Sequence, residues 1–448
     1  ILKKTKNKNN IYDVDNLNFR VRMSKEETIT KDEIKLLQSI SEQSRNSITF
    51  RYKQRVSLIF VKDKKTIIQG DLTNTKTTKN INKLEQTYST YELELEYQNT
   101  KPKKEHLDII YKESTIFLKI FQQSNFIIDQ TTATKVIQQY RDLLSIKESE
   151  SALYGRRVYT LELQHVVDKI QNRYAITDKA DGDRVFLIII DKRVYKITDN
   201  LEVVNLGIEL KTSKYDLSII DGEYIFLPKH NRHIFMAFDC LIKSSKDLRN
   251  ESSFQKRQDE LEDIIKNCFI FNKQKGHEFK KYSGEYKMEP ILKFHQNEMD
   301  KFLKNLYDDV RYEKQYPLIR KKYFMFCEGI QDNEIFKYSK LLWEKYLYDK
   351  TNTLYSLDGL IYNPLDQQYV VSVKDSKFLD YKWKPPTQNT IDFYIKFERD
   401  RETGEILTVY DNSRDEFIDG QPYKICNLYV GKNLRGIEKP VLFQEREK

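Results

Sequence analysis

Period-two alternation dominates the first hundred residues. In Asn18-Phe19-Arg20-Val21-Arg22-Met23, a predicted strand carries Arg20 and Arg22 on one face. Residues 48–56 alternate again and gather Arg51, Lys53 and Arg55 on one side. Residues 66–73 predict a further strand. Another runs over 91–97, with Glu92, Glu94 and Glu96 on one face and Leu93 and Leu95 on the other. Ahead of these strands, residues 1–10 are a Lys/Asn-rich lead with little to bury. The period then changes. Helices are predicted over 114–121 and 133–147, the second with Val136, Ile137, Tyr140 and Leu144 at helical spacing. The polar stretch 147–151 suits a domain boundary.

Beyond it, residues 185–190 form an unbroken apolar run, the signature of a buried strand. Residues 217–226 hold Asp221-Gly222-Glu223 between two apolar stretches, and 235–239 predict a further strand. A helix over 253–267 turns Phe254, Leu261, Ile264 and Ile265 inward, and 269–290 reads as loop. A core stripe of Met299, Phe302, Leu303 and Leu306 marks a helix over 298–307; another is predicted over 340–348. Asp358-Gly359 precedes Leu360-Ile361. In Tyr381-Lys382-Trp383-Lys384-Pro385-Pro386 the two lysines share a strand face, and the prolines stop the strand and make a hinge. From Thr390 on, short alternating segments punctuated by Gly404, Gly420 and Gly431 predict a small β-barrel. No internal repeat is present. The pattern as a whole predicts an α+β chain of several domains.

The densest chemistry is Thr177-Asp178-Lys179-Ala180-Asp181-Gly182-Asp183-Arg184. Lysine is a nitrogen nucleophile when neutral, and burial or nearby cations favour the neutral form. Asp181 offers a carboxylate to a metal or a ribose hydroxyl. Gly182 allows close backbone approach. Arg184 presents a planar fork for phosphate or ribose. The bland alternative is a charged turn before a strand. The glutamates at 92, 94 and 96 have two readings as well. On a free edge, solvent screens their repulsion. Inside a barrel they need a divalent cation, and hard oxygen ligands suit Mg²⁺ or Mn²⁺. Arg51, Lys53, Arg55 and Lys76 would then complete a cage for a polyphosphate.

Composition adds a mild bias. The chain has 448 residues and a net charge of +9, with 30 Tyr and 24 Phe. That suits a handler of nucleic acid or nucleotides, and follows equally from an AT-biased genome. The four cysteines, Cys240, Cys268, Cys327 and Cys426, lie far apart with no Cys-x-x-Cys pair, which argues against a disulfide framework or structural zinc. No apolar run is long enough to span a membrane and no secretory signal is present, so a cytoplasmic setting is expected. The first residue is Ile1 rather than Met, so residues are expected before it.

In order, Lys179-x-Asp181-Gly182-x-Arg184, Asp221-Gly222-Glu223, Asp358-Gly359-Leu360-Ile361 and Lys382-Trp383-Lys384-Pro385 resemble the motifs of the covalent nucleotidyltransferase superfamily of mRNA guanylyltransferases and ATP-dependent ligases. Within it the chain looks most like the triphosphatase–guanylyltransferase part of capping enzymes from cytoplasmic large DNA viruses and yeast linear cytoplasmic plasmids. Ligases tend to carry Glu-Gly in the fourth motif. Arg51-x-Lys53-x-Arg55, Asp71-Leu72-Thr73 and Glu92-x-Glu94-x-Glu96 extend the resemblance into the first domain.

The resemblance implies a triphosphate-tunnel β-barrel over residues 1–148, a ligase-like nucleotidyltransferase domain over 149–388 and an OB-fold over 389–448. It implies attack by Lys179 on the α-phosphate of GTP, and transfer of GMP to the diphosphate end of RNA. Lys382 and Lys384 would neutralise phosphate charge and depress the Lys179 pKa. Asp358 would hold Mg²⁺ or Mn²⁺, Glu223 and Arg184 would contact the ribose, and Phe238 would stack on guanine or simply pack in the core. Asp181 lies in the same shell. The tunnel residues would release the γ-phosphate of the RNA. Partners implied are the 5′ end of nascent RNA, a cap methyltransferase domain or subunit and RNA polymerase, with no membrane.

The chain departs from the family pattern twice. No Glu-x-Glu strand lies upstream of Arg20, where Glu26 and Glu27 are adjacent; either it precedes Ile1 or the tunnel is inert. The closing Glu445-Arg446-Glu447-Lys448 does not match the basic Arg…Asp-Lys motif of the last domain. Rival readings are an ATP-dependent polynucleotide ligase and a catalytically inactive RNA-binding scaffold.

Overall fold

A computed structural model describes residues 2–43, 49–62, 67–84, 87–98, 103–170, 173–312, 316–329, 331, 333–345, 354–386, 392–410, 422–434 and 437–443. Ile48, Thr66, residues 346–348, Gly420 and the tail 445–448 lie outside them. The chain divides into two compact units, Ile1–Trp383 and Lys384–Lys448.

The first unit opens with an antiparallel pair, β1 (Leu2–Val14) and β2 (Phe19–Thr28). Asn18 makes the connection in the left-handed conformation, φ 56°. A strand thus precedes Arg20 where only a polar lead is expected, because pairing needs backbone groups rather than apolar side chains. It is rich in lysine and asparagine and contains no glutamate. After α1 (Lys31–Gln43), β3 (Phe50–Lys62), β4 (Ile67–Thr78) and β5 (Thr90–Gln98) form a separate antiparallel sheet in that order. Among the described residues this sheet is open, with no strand closing it into a barrel. α2 (Lys104–Phe121) sets Phe117 edge-on to Phe60 of β3, centroids 6.2 Å apart.

α3 (Gln130–Leu144) starts where the Asp129 carboxylate accepts the Thr132 N–H at 2.8 Å. Its stripe of Val136, Tyr140 and Leu144 packs on Phe186 and Ile188. Withdrawing each such side chain from water stabilises the fold by roughly 1.5–3 kcal/mol.

There follow β6 (Val158–Thr160), α4 (Leu163–Asp168), β7 (Tyr174–Ala180), β8 (Asp183–Ile190), β9 (Arg193–Ile197), β10 (Val203–Glu209), β11 (Ser218–Leu227), β12 (Arg232–Lys243) and β13 (Lys246–Asp247). Then come α5 (Phe254–Cys268), α6 (Met288–Asp309), β14 (Leu318–Lys321), β15 (Met325–Cys327), α7 (Glu334–Trp343), β16 (Leu357–Pro364) and β17 (Asp380–Trp383). They build two sheets. One runs β10-β9-β8-β11-β12-β13, with β14 parallel to β12; the other runs β15-β7-β16-β17-β6.

The unbroken apolar run of β8 has a direct cause. Its Phe186 and Ile188 face α3, while Val185, Leu187 and Ile189 face Leu261, Ile264 and Ile265 of α5, so both faces are buried. α6 drives Met299, Phe302, Leu303 and Leu306 into a core shared with Tyr174 and Ile176 of β7 and with Ile225 and Met236 of the other sheet. No described helix is long and apolar enough to cross a membrane.

The second unit contains β18 (Tyr394–Phe397), β19 (Val409–Tyr410), β20 (Pro422–Tyr423), β21 (Cys426–Leu434) and β22 (Ile437–Leu442). They form a three-stranded sheet β18-β21-β22 and a separate β19–β20 pair. Among the described residues these strands do not close into the small barrel expected there.

Candidate active site

Lys179 does not sit in a turn. It is the penultimate residue of β7, a strand almost wholly buried. Across from it, Leu357 pairs with Ala180 and Gly359 with Lys179, which leaves Asp358 as the extra residue of a β-bulge. A bulge re-aims the side chain it carries. Here it brings the Asp358 carboxylate to 2.7 Å from Lys179 Nζ, and both side chains are about four-fifths withdrawn from solvent (21% and 22% exposed). Thr177, Ile361 and Lys382 stand in cross-strand register, so Lys382 shares the sheet face of Lys179. Two strand spacings put its backbone about 10 Å from that of Thr177. Lys384 opens the second unit.

Asp181 and Gly182 make the turn from β7 to β8, with Asp181 exposed. At Gly182 packing leaves no room for a side chain: a Cβ there would lie 2.7 Å from Ile225 Cγ1 and 2.9 Å from the Tyr224 carbonyl. Asp221-Gly222-Glu223 likewise lies within a strand, β11, which puts both carboxylates on one face. Gly222 faces the other way, under the Phe235 ring, where a Cβ would come within 2.2 Å of it.

Glu223 reaches Lys322, a residue the sequence reading passes over. Lys322 Nζ lies 3.0 Å from Glu223 and 3.5 Å from Asp178. Burial opposes its charge, but the two carboxylates outweigh that and hold the ammonium above its ordinary pKa. Two acids share this one cation, and Glu223, buried and facing the charge of Asp178, is pushed up although Lys322 and Lys179 partly offset this. A signal for Lys322 exists in the sequence. Arg320-Lys321-Lys322 is a run of cations flanked by Leu318-Ile319 and Tyr323-Phe324. Charges within an apolar stretch need buried partners.

Phe238 is also set by a bulge, between the pairs Asp221–Asp239 and Gly222–Ala237. Its half-buried ring has the Arg184 guanidinium 5.5 Å and Lys322 Nζ 6.0 Å from its centroid. Arg184 grips Asp221 with Nε at 3.0 Å and Nη2 at 2.6 Å. Burial works against its charge, yet Asp221 more than restores it. Two further buried pairs flank this one: Arg257 with Asp239 at 2.9 Å and Arg156 with Asp380 at 2.7 Å. The structure therefore brings Lys179, Asp358, Glu223, Phe238 and Arg184 into one region around Lys322, with Lys382 two strands from Lys179 on the same sheet.

The first-domain residues are arranged differently. Arg51 and Lys53 meet Glu92 at 2.9 and 3.7 Å, and Arg55 meets Glu94 at 3.3 Å and Asp71 at 2.8 Å. Glu96 accepts from Gln69 at 3.5 Å. Lys76 pairs in register with Tyr52, so it belongs to the opposite face of the sheet and does not complete the cage. Among the described residues, no three or more His, Cys, Asp and Glu side chains converge as a metal cage. Mg²⁺ at phosphate sites needs only one or two carboxylates besides water and phosphate, and the single carboxylate Asp358 beside Lys179 fits that habit.

No protein-family model matches the chain. An Acanthamoeba polyphaga mimivirus protein named "Probable mRNA-capping enzyme" is 34% identical over 426 residues, covering 92% of this chain and 35% of the relative. An mRNA-capping enzyme of African swine fever virus is 24% identical over 356 residues, 76% of this chain and 32% of the relative. The chain thus spans about a third of the length of the curated relatives it matches. Among solved structures, mycobacterial DNA ligase D complexed with ATP and MES aligns over 54% of this chain and 60% of its own at 12% identity, with a TM-score of 0.27. The ligase domain of M. tuberculosis LigD aligns over 50% and 55% at 11% identity and 0.27. Superpositions this loose carry no weight.

Proposed function

We propose that the chain carries the RNA 5′-end-processing part of an mRNA-capping enzyme, transferring GMP from GTP to the diphosphate end of RNA through a lysyl-N–GMP at Lys179. The observation that carries this reading is the bulge that sets Asp358 against a sheltered Lys179 at 2.7 Å. The similarity over 92% of the chain to the mimivirus protein named "Probable mRNA-capping enzyme" supports it.

In the first step Lys179 Nζ bonds to the α-phosphorus as the bond to pyrophosphate breaks. In the second, an oxygen of the RNA diphosphate displaces the lysine. The amine must be neutral when it attacks, and Asp358 is within proton-transfer distance of it. Asp358 would also hold the Mg²⁺ or Mn²⁺, which supplies charge neutralisation at the phosphates. Lys382 meets the same charge from β17 of the same sheet. Glu223 and Arg184 orient the ribose, and Phe238 offers a face to the base. The sheet bearing Arg51, Lys53, Arg55, Glu92, Glu94 and Glu96 is assigned the removal of the RNA γ-phosphate, which requires strands beyond the open sheet described above. Domain limits at 148/149 and 388/389, a cytoplasmic setting, and work alongside a cap methyltransferase and RNA polymerase complete the proposal.

The test is incubation with α-labelled GTP or ATP and Mg²⁺ or Mn²⁺, followed by mass spectrometry to locate a phosphoramidate. GMP on Lys179, abolished by Lys179→Ala, is the expected result. Label from ATP alone would make the chain a ligase. No label, with RNA binding intact, would make it a scaffold.

A further inference from the structure

Arg184 has an unusually complete seat. Besides its two contacts with Asp221, its Nη1 donates to the Arg156 carbonyl, and its Nη2 donates to the Tyr369 hydroxyl at 3.1 Å. That hydroxyl donates in turn to Asp221 Oδ2 at 2.6 Å and accepts the Arg156 N–H at 3.4 Å. Tyr369 is 3% exposed and belongs to the strap linking β16 to β17. Burial, and then the charge of Asp221, push its pKa well up, so it remains a donor. Arg156 is itself pinned by Asp380. Behind the guanidinium lies Gly155, where an added Cβ would stand 2.8 Å from Arg184 Cζ. For all these contacts the Arg184 side chain is still 32% exposed.

We propose that Tyr369 and Gly155 are positioning residues that hold the Arg184 guanidinium ready for the sugar of the bound nucleotide. The proposal rests on the nucleotidyl-transfer reading of this pocket. A free arginine side chain loses rotamer freedom on binding a ligand. Here the hydroxyl of Tyr369 and the bare α-carbon of Gly155 remove that cost in advance. Tyr369 ties Asp221 and Arg184 into one unit with the Arg156 backbone. Gly155 lets the guanidinium lie flat against the chain; any side chain there pushes it forward.

The test compares wild type, Tyr369→Phe and Gly155→Ala for covalent adduct formation from GTP and from 2′- and 3′-deoxy-GTP, with thermal unfolding in parallel. Tyr369→Phe keeps the ring and loses the hydroxyl. Gly155→Ala displaces only the far end of a long side chain. Both variants should raise KM for GTP roughly five- to tenfold, the worth of about one hydrogen bond, with kcat within about twofold. Both should also narrow the preference for GTP over the deoxy nucleotides, which a merely structural role would not move. A raised KM in Gly155→Ala at unchanged Tm supports the inference even where Tyr369→Phe unfolds. Wild-type labelling with unchanged KM and sugar preference in the folded variants overturns this inference alone. Absence of any wild-type adduct overturns the inference together with the reading beneath it.

Discussion

Replacing Lys322 with Met tests the electrostatics of the pocket without reference to substrate. The side chain is 2% exposed and lies 3.0 Å from Glu223 and 3.5 Å from Asp178, which is itself 1% exposed. At an effective dielectric of about 20 each contact is worth roughly 5 kcal/mol of gross attraction. Desolvation cancels much of that, but removing one partner of a buried pair leaves the others uncompensated and costs about 3–5 kcal/mol. The deficit also has a pH dependence with a definite sign. Glu223 already has a folded-state pKa above its unfolded value, first through burial. A carboxylate raised in this way favours the folded state when protonated and disfavours it as pH rises through the folded value. Removing Lys322 raises Glu223 further. Urea unfolding should therefore show Lys322→Met falling further behind the wild type as pH goes from about 5 to about 8, with Lys322→Met/Glu223→Gln recovering part of the loss. A deficit below about 1 kcal/mol, or one equal at both pH values, would refute the argument.

Two other consequences are open to measurement. His277 and His295 are both lowered to about 4 by burial, from an ordinary 6.5. Their stabilisation is present above pH 6.5 and lost as pH falls through about 4, so Tm should drop across that window; each contributes roughly 3 kcal/mol, and replacing either by Gln should flatten the drop. Glu94→Ala removes the carboxylate that faces Arg55 at 3.3 Å. It should abolish γ-phosphate release from triphosphate RNA while leaving adduct formation on Lys179 unchanged, as followed with γ- and α-labelled substrates.

The parts of the molecule legible in its sequence are those fixed by local period. The run at 185–190 announces a strand buried on both faces because helices cover both. Counting by twos gathers Arg51, Lys53 and Arg55 on one face and Glu92, Glu94 and Glu96 on another, and the register sets those faces together across Thr73 and Asp71. The same counting along β4 separates Lys76 from Asp71 and Thr73, so its exclusion from that face is readable too. What local period does not contain is the register between distant strands. Asp358 meets Lys179 where β16 carries one residue more than β7, and Phe238 lies where β12 bulges opposite Asp221 and Gly222.

Those bulges matter to the chemistry because they place Asp358 and Phe238 off the regular cross-strand register. Asp358 has no partner of its own in the β16–β7 ladder, yet its carboxylate lies 2.7 Å from the Lys179 amine. Lys322 adds a second long-range condition. It lies beyond the end of β14 in sequence, yet bonds the Asp178 carbonyl of one sheet and the Glu223 carboxylate of the other. The pocket is thus cross-linked by an ion cluster that joins the lysine strand to the Asp-Gly-Glu strand. Whatever displaces Lys322 must move Glu223 and the backbone next to Lys179 together, so stability and nucleotide handling are expected to change in step at this one residue and to separate at Tyr369 and Gly155.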